Sequence, residues 1–383
     1  MDEFKTLNRK KTDAIKWDIV KSETIPFSIA DADYETAQAI KHALIKRAKH
    51  GAFGYTYEGQ DYRRIVQSWI NDRYHYTVKE SWIYPIPRVL NAISLILKLF
   101  TNKEDGVVIQ TPVYHKFYEV IKNHNRTQCV NPFINENNHY TMDFDQLEVL
   151  FKQGAKLLLL SSPHNPLGRV FTHDEVKRII MLCKQYDVLL VSDEIHADVI
   201  MKGYAFVSVG AFFNDYDNII ILSAASKTFN IAGLHIANMI VKSAKLADPI
   251  MTAYKRDYLH HQNIFALTAL KAAYQYGGEW VDKQNEHIYA NYIMLKDALK
   301  STHEHITIAP LEGTFLAWID LRCYKTDEPT LFNAFKAHNV LPSEGSKFGT
   351  NYHGFIRFNL AVSKTQLKQG IDRLVNALHS LKG

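Results

Sequence analysis

The sequence predicts an α/β fold: a mostly parallel sheet with helices on both faces, followed by a smaller α+β unit. Two observations carry this. Between about residues 85 and 240, short apolar runs alternate with segments of helical periodicity, and after about residue 263 the pattern changes to long helices with isolated strands. Val89-Leu-Asn-Ala-Ile-Ser-Leu-Ile-Leu-Lys-Leu-Phe100 has its apolar residues at helical spacing. Gly106-Val-Val-Ile-Gln110, Lys156-Leu-Leu-Leu-Leu-Ser161, Asp187-Val-Leu-Leu-Val-Ser192 and Asn218-Ile-Ile-Ile-Leu-Ser223 are too short for helices and too apolar for half-exposed strands. Strands buried on both faces read this way, which points to parallel pairing with helical crossovers. Farther on, helical stretches around 263–301 precede strand-like Gly313-Thr-Phe-Leu-Ala-Trp-Ile-Asp320, a helix near 329–338, strand-like Phe355-Ile-Arg-Phe-Asn359 and an amphipathic helix from about Lys364 to Leu381. The expected division is a large domain over 48–275 and a small domain from 1–47 with 276–383. No repeat or Pro/Gly/Ser-rich linker marks a boundary.

Composition narrows the function classes. With 46% hydrophobic and 22% charged residues over 383 positions, the chain is globular, and its net charge of +5 has no long basic block behind it. No nucleic-acid partner is required, although a local cationic pocket for anions is compatible with this balance. Cys129, Cys183 and Cys323 lie far apart with no zinc or disulfide spacing, so no metal site is expected and a reducing, cytoplasmic setting is. The charged N-terminal stretch lacks the apolar centre of a signal peptide, and no apolar run reaches the roughly 18–20 residues that span a bilayer, so no membrane role is expected. The aromatic content is high, 21 Tyr and 20 Phe, which suits an interface or a flat ligand as well as a core.

In an open α/β sheet, ligands bind beyond the carboxyl ends of the strands. Three runs there are followed by reactive groups: Asn165 in Ser162-Pro-His-Asn-Pro-Leu-Gly168, Asp193 and His196 in Ser192-Asp-Glu-Ile-His-Ala-Asp198, and Lys227 in Ser223-Ala-Ala-Ser-Lys-Thr-Phe-Asn230. Taken singly, Asp193 is also a good helix cap and Asn165 a good turn residue. Together, an amine, a carboxylate and an amide suit pyridoxal 5′-phosphate (PLP). Its aldehyde needs an amine, its ring nitrogen a carboxylate and its phenolate oxygen a donor, which Lys227, Asp193 and Asn165 supply in turn. The phosphate needs N–H groups at a helix start, offered by Val89 and Leu90 after the Pro85-Ile-Pro-Arg-Val-Leu90 turn, and a hydroxyl, offered by Ser226. Tyr114, after Thr111-Pro-Val, is the candidate to stack on the ring.

Ser226-Lys-Thr-Phe-Asn-Ile-Ala-Gly-Leu234, Ser161-Ser-Pro-His-Asn-Pro-Leu-Gly-Arg169, Ser192–Asp198, Pro112-Val-Tyr114, His50-Gly-Ala-Phe-Gly-Tyr-Thr56, Lys16-Trp-Asp18, Ile29-Ala-Asp-Ala-Asp-Tyr34, Gly345-Ser-Lys-Phe-Gly349 and Phe355–Asn359 together resemble the MalY/PatB family of PLP-dependent cystathionine β-lyases. These motifs run nearly end to end and in the family's order. The resemblance implies the fold-type I aminotransferase fold and a homodimer with a shared active site. It also implies roles: Lys227 bonds the cofactor aldehyde and takes the substrate Cα proton, Asp193 pairs with the pyridinium, Asn165 bonds the phenolate oxygen, Tyr114 stacks and Arg357 clamps the substrate carboxylate. Tyr55 reaches the neighbouring subunit's cofactor phosphate, a role for which Phe53 and Tyr57 compete, and His196 lies near the phenolate oxygen.

The implied reaction is α,β-elimination on L-cystathionine and other L-cysteine S-conjugates, an amino-acid thioether substrate class, releasing thiol, pyruvate and ammonia. Transamination shares its early steps, and a regulatory protein-binding role is the alternative of another kind. Three positions depart from the wider superfamily's pattern. Arg88 stands where the phosphate-binding turn usually has glycine, Ala224 where serine is common, and His235 where many aminotransferases have arginine. Substrate selectivity is expected from loops near 30–35, 55–60 and 340–350, with Phe53, Tyr57, Phe348 and Phe355 near the substrate mouth.

Overall fold

The computed structural model describes residues 4–259 and 261–381. Its centre is a seven-stranded sheet whose strands, in chain order, are β1 (Ile83–Ile86), β2 (Gly106–Thr111), β3 (Thr127–Pro132), β4 (Leu157–Ser161), β5 (Leu189–Asp193), β6 (Ile219–Ser223) and β7 (Ala237–Ile240). They lie side by side in the order β1-β7-β6-β5-β4-β2-β3. All neighbours pair in parallel except β7, which runs antiparallel to both β1 and β6.

The four apolar runs become β2, β4, β5 and β6, buried on both faces as expected. Period-two alternation sends Leu157 and Leu159 into the layer that holds Val89–Phe100 and Ala244–Arg256, and Leu158 and Leu160 into the layer that holds His173–Tyr186. That last helix starts with a reciprocal cap, in which Thr172 accepts from the Glu175 N–H and Glu175 accepts from the Thr172 N–H.

Three strands of this sheet had no signal in the sequence. β1 contains Pro85, tolerated because β1 is at the sheet edge. β3, the opposite edge, is polar and half exposed. β7, Ala237-Asn-Met-Ile240, is too short and mixed to stand out.

A second sheet, in the order β8 (Thr307–Ile308), β9 (Leu316–Asp320), β11 (Phe355–Asn359), β10 (Ser343–Glu344), is antiparallel. Helix Lys364–His379 packs against the long helix Gly278–Thr302 beside it. Helix Gln38–His50 lies against Ile264–Tyr276. The segment 28–34 runs as an irregular, bent strap between the two sheets, held at Asn230 on one side and at Asn359 on the other.

Candidate active site

The carboxyl ends of β4, β5 and β6 stand level: Ser161 is in register with Asp193, and Asp193 with Leu222. Asn165, Asp193 and Lys227 follow from these ends, so the sheet brings together the three groups that the sequence placed there.

Asp193 is buried, and its Oδ1 accepts from the Ile195 N–H at 3.2 Å. Burial pushes its carboxyl up to about 7, against the smaller lowering effects of that N–H and of Lys227. Lys227 lies in the short helix Ala225–Thr228, and its Nζ donates to the Ala30 carbonyl at 2.6 Å. Burial lowers its amine to about 8; Asp31 and Asp193 oppose this and Arg357 adds to it. A neutral amine is therefore accessible near physiological pH, as both nucleophile and base chemistry require.

Arg357 projects from β11 and is buried. Its Nη1 donates to Asn165 Oδ1 at 3.0 Å, and its Nη2 to the Ser28 carbonyl at 2.6 Å and to Ser343 Oγ at 3.4 Å. Burial lowers it to about 10, so it stays cationic at neutral pH. Its Nε is buried with no protein partner, a donor left for a ligand. His196 is also buried with Nδ1 unpartnered, and burial, Lys227 and Arg357 hold its ring neutral, down to about 3. Burial raises Tyr114, whose hydroxyl feels both Arg357 and Asp193; its ring meets His115 edge-on at 4.9 Å.

Val89 and Leu90 open the helix Val89–Phe100, and no side chain caps it, which leaves first-turn N–H groups available. Arg88 has φ −155° and ψ 149°, extended backbone that any residue adopts, so glycine is not needed there. Ser226, next to Lys227, is partly exposed. Tyr55 lies apart from this cluster: it is fully exposed, between exposed Phe53 and Tyr57, and its ring is 6.1 Å from that of His261.

One of the aromatic expectations needs correction. Phe355 does not line a mouth; its ring stacks on Trp318 at 5.3 Å and lies 4.6 Å from the Arg322 guanidinium. Alternation does put it on the face of Arg357, but Trp318 from β9 covers that part of the face. Phe348 is buried too, with the Arg357 guanidinium 4.8 Å from its ring.

The sequence assigned the loop near 30–35 to substrate selectivity only, and the strap's backbone role in the site was not foreseen. Its carbonyls meet three groups of the site region: Ser28 meets Arg357, Ala30 meets Lys227, and Ile29 and Asp31 meet Asn359. Backbone acceptors have no side-chain signature, and the motif Ile29–Tyr34 was the one available signal. His115 was also missed; burial first, then Lys116, lowers it to about 4, so it is a neutral ring beside Tyr114.

The family model for aminotransferase class I and II matches residues 22–374. The chain belongs to this family. Within the aminotransferase class I and II family its relatives include cystathionine β-lyase PatB of Bacillus subtilis, 32% identical, with 97% of this chain and 98% of PatB covered. Protein MalY of Escherichia coli is 30% identical with both chains fully covered, which puts the chain in the MalY/PatB group. Among solved structures, cystalysin from Treponema denticola, which contains PLP, superposes with a TM-score of 0.95 at 32% identity, covering 99% of each chain.

Proposed function

We propose that the chain is a PLP-dependent carbon–sulfur β-lyase that converts L-cystathionine and related L-cysteine S-conjugates to a thiol, pyruvate and ammonia. The observation that carries this reading is a single cluster in which the Lys227 amine feels the charges of both the Asp193 carboxylate and an Arg357 guanidinium with an open Nε. The relatives named PatB and cystalysin support it.

The residues fit the cofactor. Lys227 would bond its aldehyde, Asp193 its ring nitrogen and Asn165 its phenolate oxygen, with His196 Nδ1 nearby as a further unpartnered polar atom. Tyr114 would cover the ring, and the Val89 and Leu90 N–H groups with the Ser226 hydroxyl would take the phosphate. When bound, PLP supplies an electron sink for the negative charge that develops at the substrate Cα.

The chain's own residues do the rest. Arg357 binds the substrate carboxylate through its free Nε and the nitrogens now shared with Asn165 and Ser28, which fixes the direction of the Cα–H bond. Lys227 takes the Cα proton onto Nζ, an exchange helped by its lowered basicity. The C–S bond breaks with its electron pair on sulfur, and water hydrolyses the released 2-aminoacrylate to pyruvate and ammonia. Asp193 stays ionised against a protonated ring nitrogen, which offsets the burial that otherwise favours its neutral form.

The working unit of this reading is a cytoplasmic homodimer. Tyr55, exposed together with Phe53 and Tyr57, would extend to the neighbouring subunit's cofactor phosphate. Cys129 and Cys183 are free thiols, in keeping with a reducing compartment.

The test is incubation of the PLP-loaded protein with L-cystathionine. Thiol and pyruvate should form without any α-keto acid, and Lys227→Ala should abolish both. Turnover that requires an α-keto acid and releases no thiol identifies an aminotransferase instead and overturns the lyase reading.

A further inference from the structure

Arg88 and His235 face each other across the open end of two strands. β1 and β7 pair antiparallel with Ile86 opposite Ala237. Two residues after Ile86 and two before Ala237, the same antiparallel register places Arg88 opposite His235. Arg88 is the residue before the helix Val89–Phe100, and His235 closes the turn Ala232–Leu234, eight positions after Lys227. His235 takes φ +61°, a left-handed conformation that few residues other than glycine adopt and that stores strain.

The contact between them is close. Arg88 Nη2 lies 3.2 Å from His235 Nδ1 and closer still to Nε2. A guanidinium only donates, so the imidazole nitrogen it meets must be an unprotonated acceptor. Burial and the charge of Arg88 both push His235 toward the neutral form. Among the described residues, no carboxylate forms an ion pair with Arg88. The arginine is therefore held in place by a neutral ring and keeps its whole positive charge.

Arg88 also occupies the N-cap position of the helix Val89–Phe100, an unfavourable place for a cation. The start of a helix carries the positive end of the helix dipole, where Ser, Thr, Asp and Asn are the usual residues and a cation is repelled. An anion at the helix start would reverse the sign of this interaction, and the first-turn N–H groups are uncapped and available to it.

We propose that Arg88, oriented by His235, is the counter-cation of the cofactor phosphate, a dianionic phosphomonoester seated at the start of Val89–Phe100. His235 is a positioning residue that presents the guanidinium and bears no charge itself. This rests on the PLP reading above and adds to it a phosphate ligand contributed by two positions that depart together from the superfamily pattern.

The test compares two aldehydes that differ only in the phosphate. Cofactor-free protein is titrated with PLP and with pyridoxal, and the absorbance of the lysine adduct gives a dissociation constant for each. Arg88→Ala should weaken PLP by about 10- to 100-fold, the size expected for a lost charge-assisted contact, and leave pyridoxal unchanged. Arg88→Lys should recover part of the loss, and His235→Ala should give a smaller loss of the same selectivity. An unchanged ratio of PLP to pyridoxal affinity in Arg88→Ala overturns the inference and leaves the lyase reading intact. Equal weakening toward both aldehydes overturns it as well, since that reports a general distortion. Wild-type protein that takes up neither aldehyde overturns the lyase reading and this inference with it.

Discussion

Arg357 Nη1 donates to Asn165 Oδ1 at 3.0 Å, joining β11 of the small sheet to the loop after β4 of the large one. Because a guanidinium cannot accept, this bond fixes which end of the Asn165 amide faces Arg357, and it leaves Nδ2 as the donor toward the ring-oxygen position. The proposed substrate clamp thus orients the proposed cofactor ligand. Substituting both should be non-additive. Arg357→Lys should raise KM for L-cystathionine by on the order of 100-fold, since a lysine cannot reproduce the fork. In a double-mutant cycle with Asn165→Ala, read as kcat/KM, the pair should show a coupling of about 0.5–3 kcal/mol. Strict additivity would remove the link.

Lys227 should capture aldehydes at unusually low pH. Its lowered basicity, caused by burial and reinforced by Arg357, puts half of the amine in the neutral form near pH 8. The rate of PLP capture by cofactor-free protein should therefore rise with pH and level off just above pH 8. Arg357→Met should shift that midpoint upward, because a neighbouring positive charge is lost. A rate that keeps climbing tenfold per pH unit to pH 10 would show an ordinary lysine.

Asp193 predicts a pH-dependent stability in the cofactor-free protein. Its folded value, about 7, lies above the model-compound value of 3.8, so folding favours the protonated form. That contribution is full below about pH 4, is lost progressively between pH 4 and 7, and stays lost above pH 7. Asp193→Asn removes the buried charge. It should stabilise the cofactor-free protein by on the order of 1–3 kcal/mol at pH 8 and hardly at all at pH 4. Denaturant melts at the two pH values measure this. In the same variant PLP-dependent turnover should fall by several orders of magnitude, so the residue that limits stability is the one that supports the reaction.

The contrast between what the sequence disclosed and what it concealed has a physical basis. β2, β4, β5 and β6 were legible because strands buried on both faces must be continuously apolar, and Asp193, Asn165 and Lys227 were legible because reactive side chains follow directly from those runs. Edge strands obey no such constraint, so β1 with Pro85 and polar β3 left no trace. The strap acts through the carbonyls of Ser28 and Ala30, which any residue could provide. Phe355 was misplaced because alternation gives the face of a strand and not what covers it; Trp318 arrives from another strand 37 residues earlier in the chain. The pairing of Arg88 with His235 needed the register of β1 and β7, neither of which the sequence revealed.

The strap is anchored by buried charge, and this gives the last prediction. Asp33 and Lys16 are both inaccessible to solvent, with Lys16 Nζ 2.9 Å from Asp33 Oδ2. Arg9 Nη1 and Trp17 Nε1 donate to Asp33 Oδ1, each at 2.9 Å, and Gln366 Nε2 donates to Oδ2 at 2.7 Å. Burial alone would raise the Asp33 carboxyl, but Lys16 and these donors together hold it below the usual carboxylate range. Removing Lys16 leaves an ionised group with one cation fewer in a dry site, so Lys16→Met should cost about 3–5 kcal/mol of stability in urea melts. The adjacent Asp33→Leu change should recover part of that loss in the double variant, because it removes the stranded charge as well. Since Ala30 and Ser28 lie on the same strap, Lys16→Met should also displace the Lys227 and Arg357 acceptors, lowering kcat/KM even at temperatures where the protein remains folded. A loss below 1 kcal/mol with unchanged kcat/KM would show that the strap is held by its backbone contacts to Asn230 and Asn359 alone.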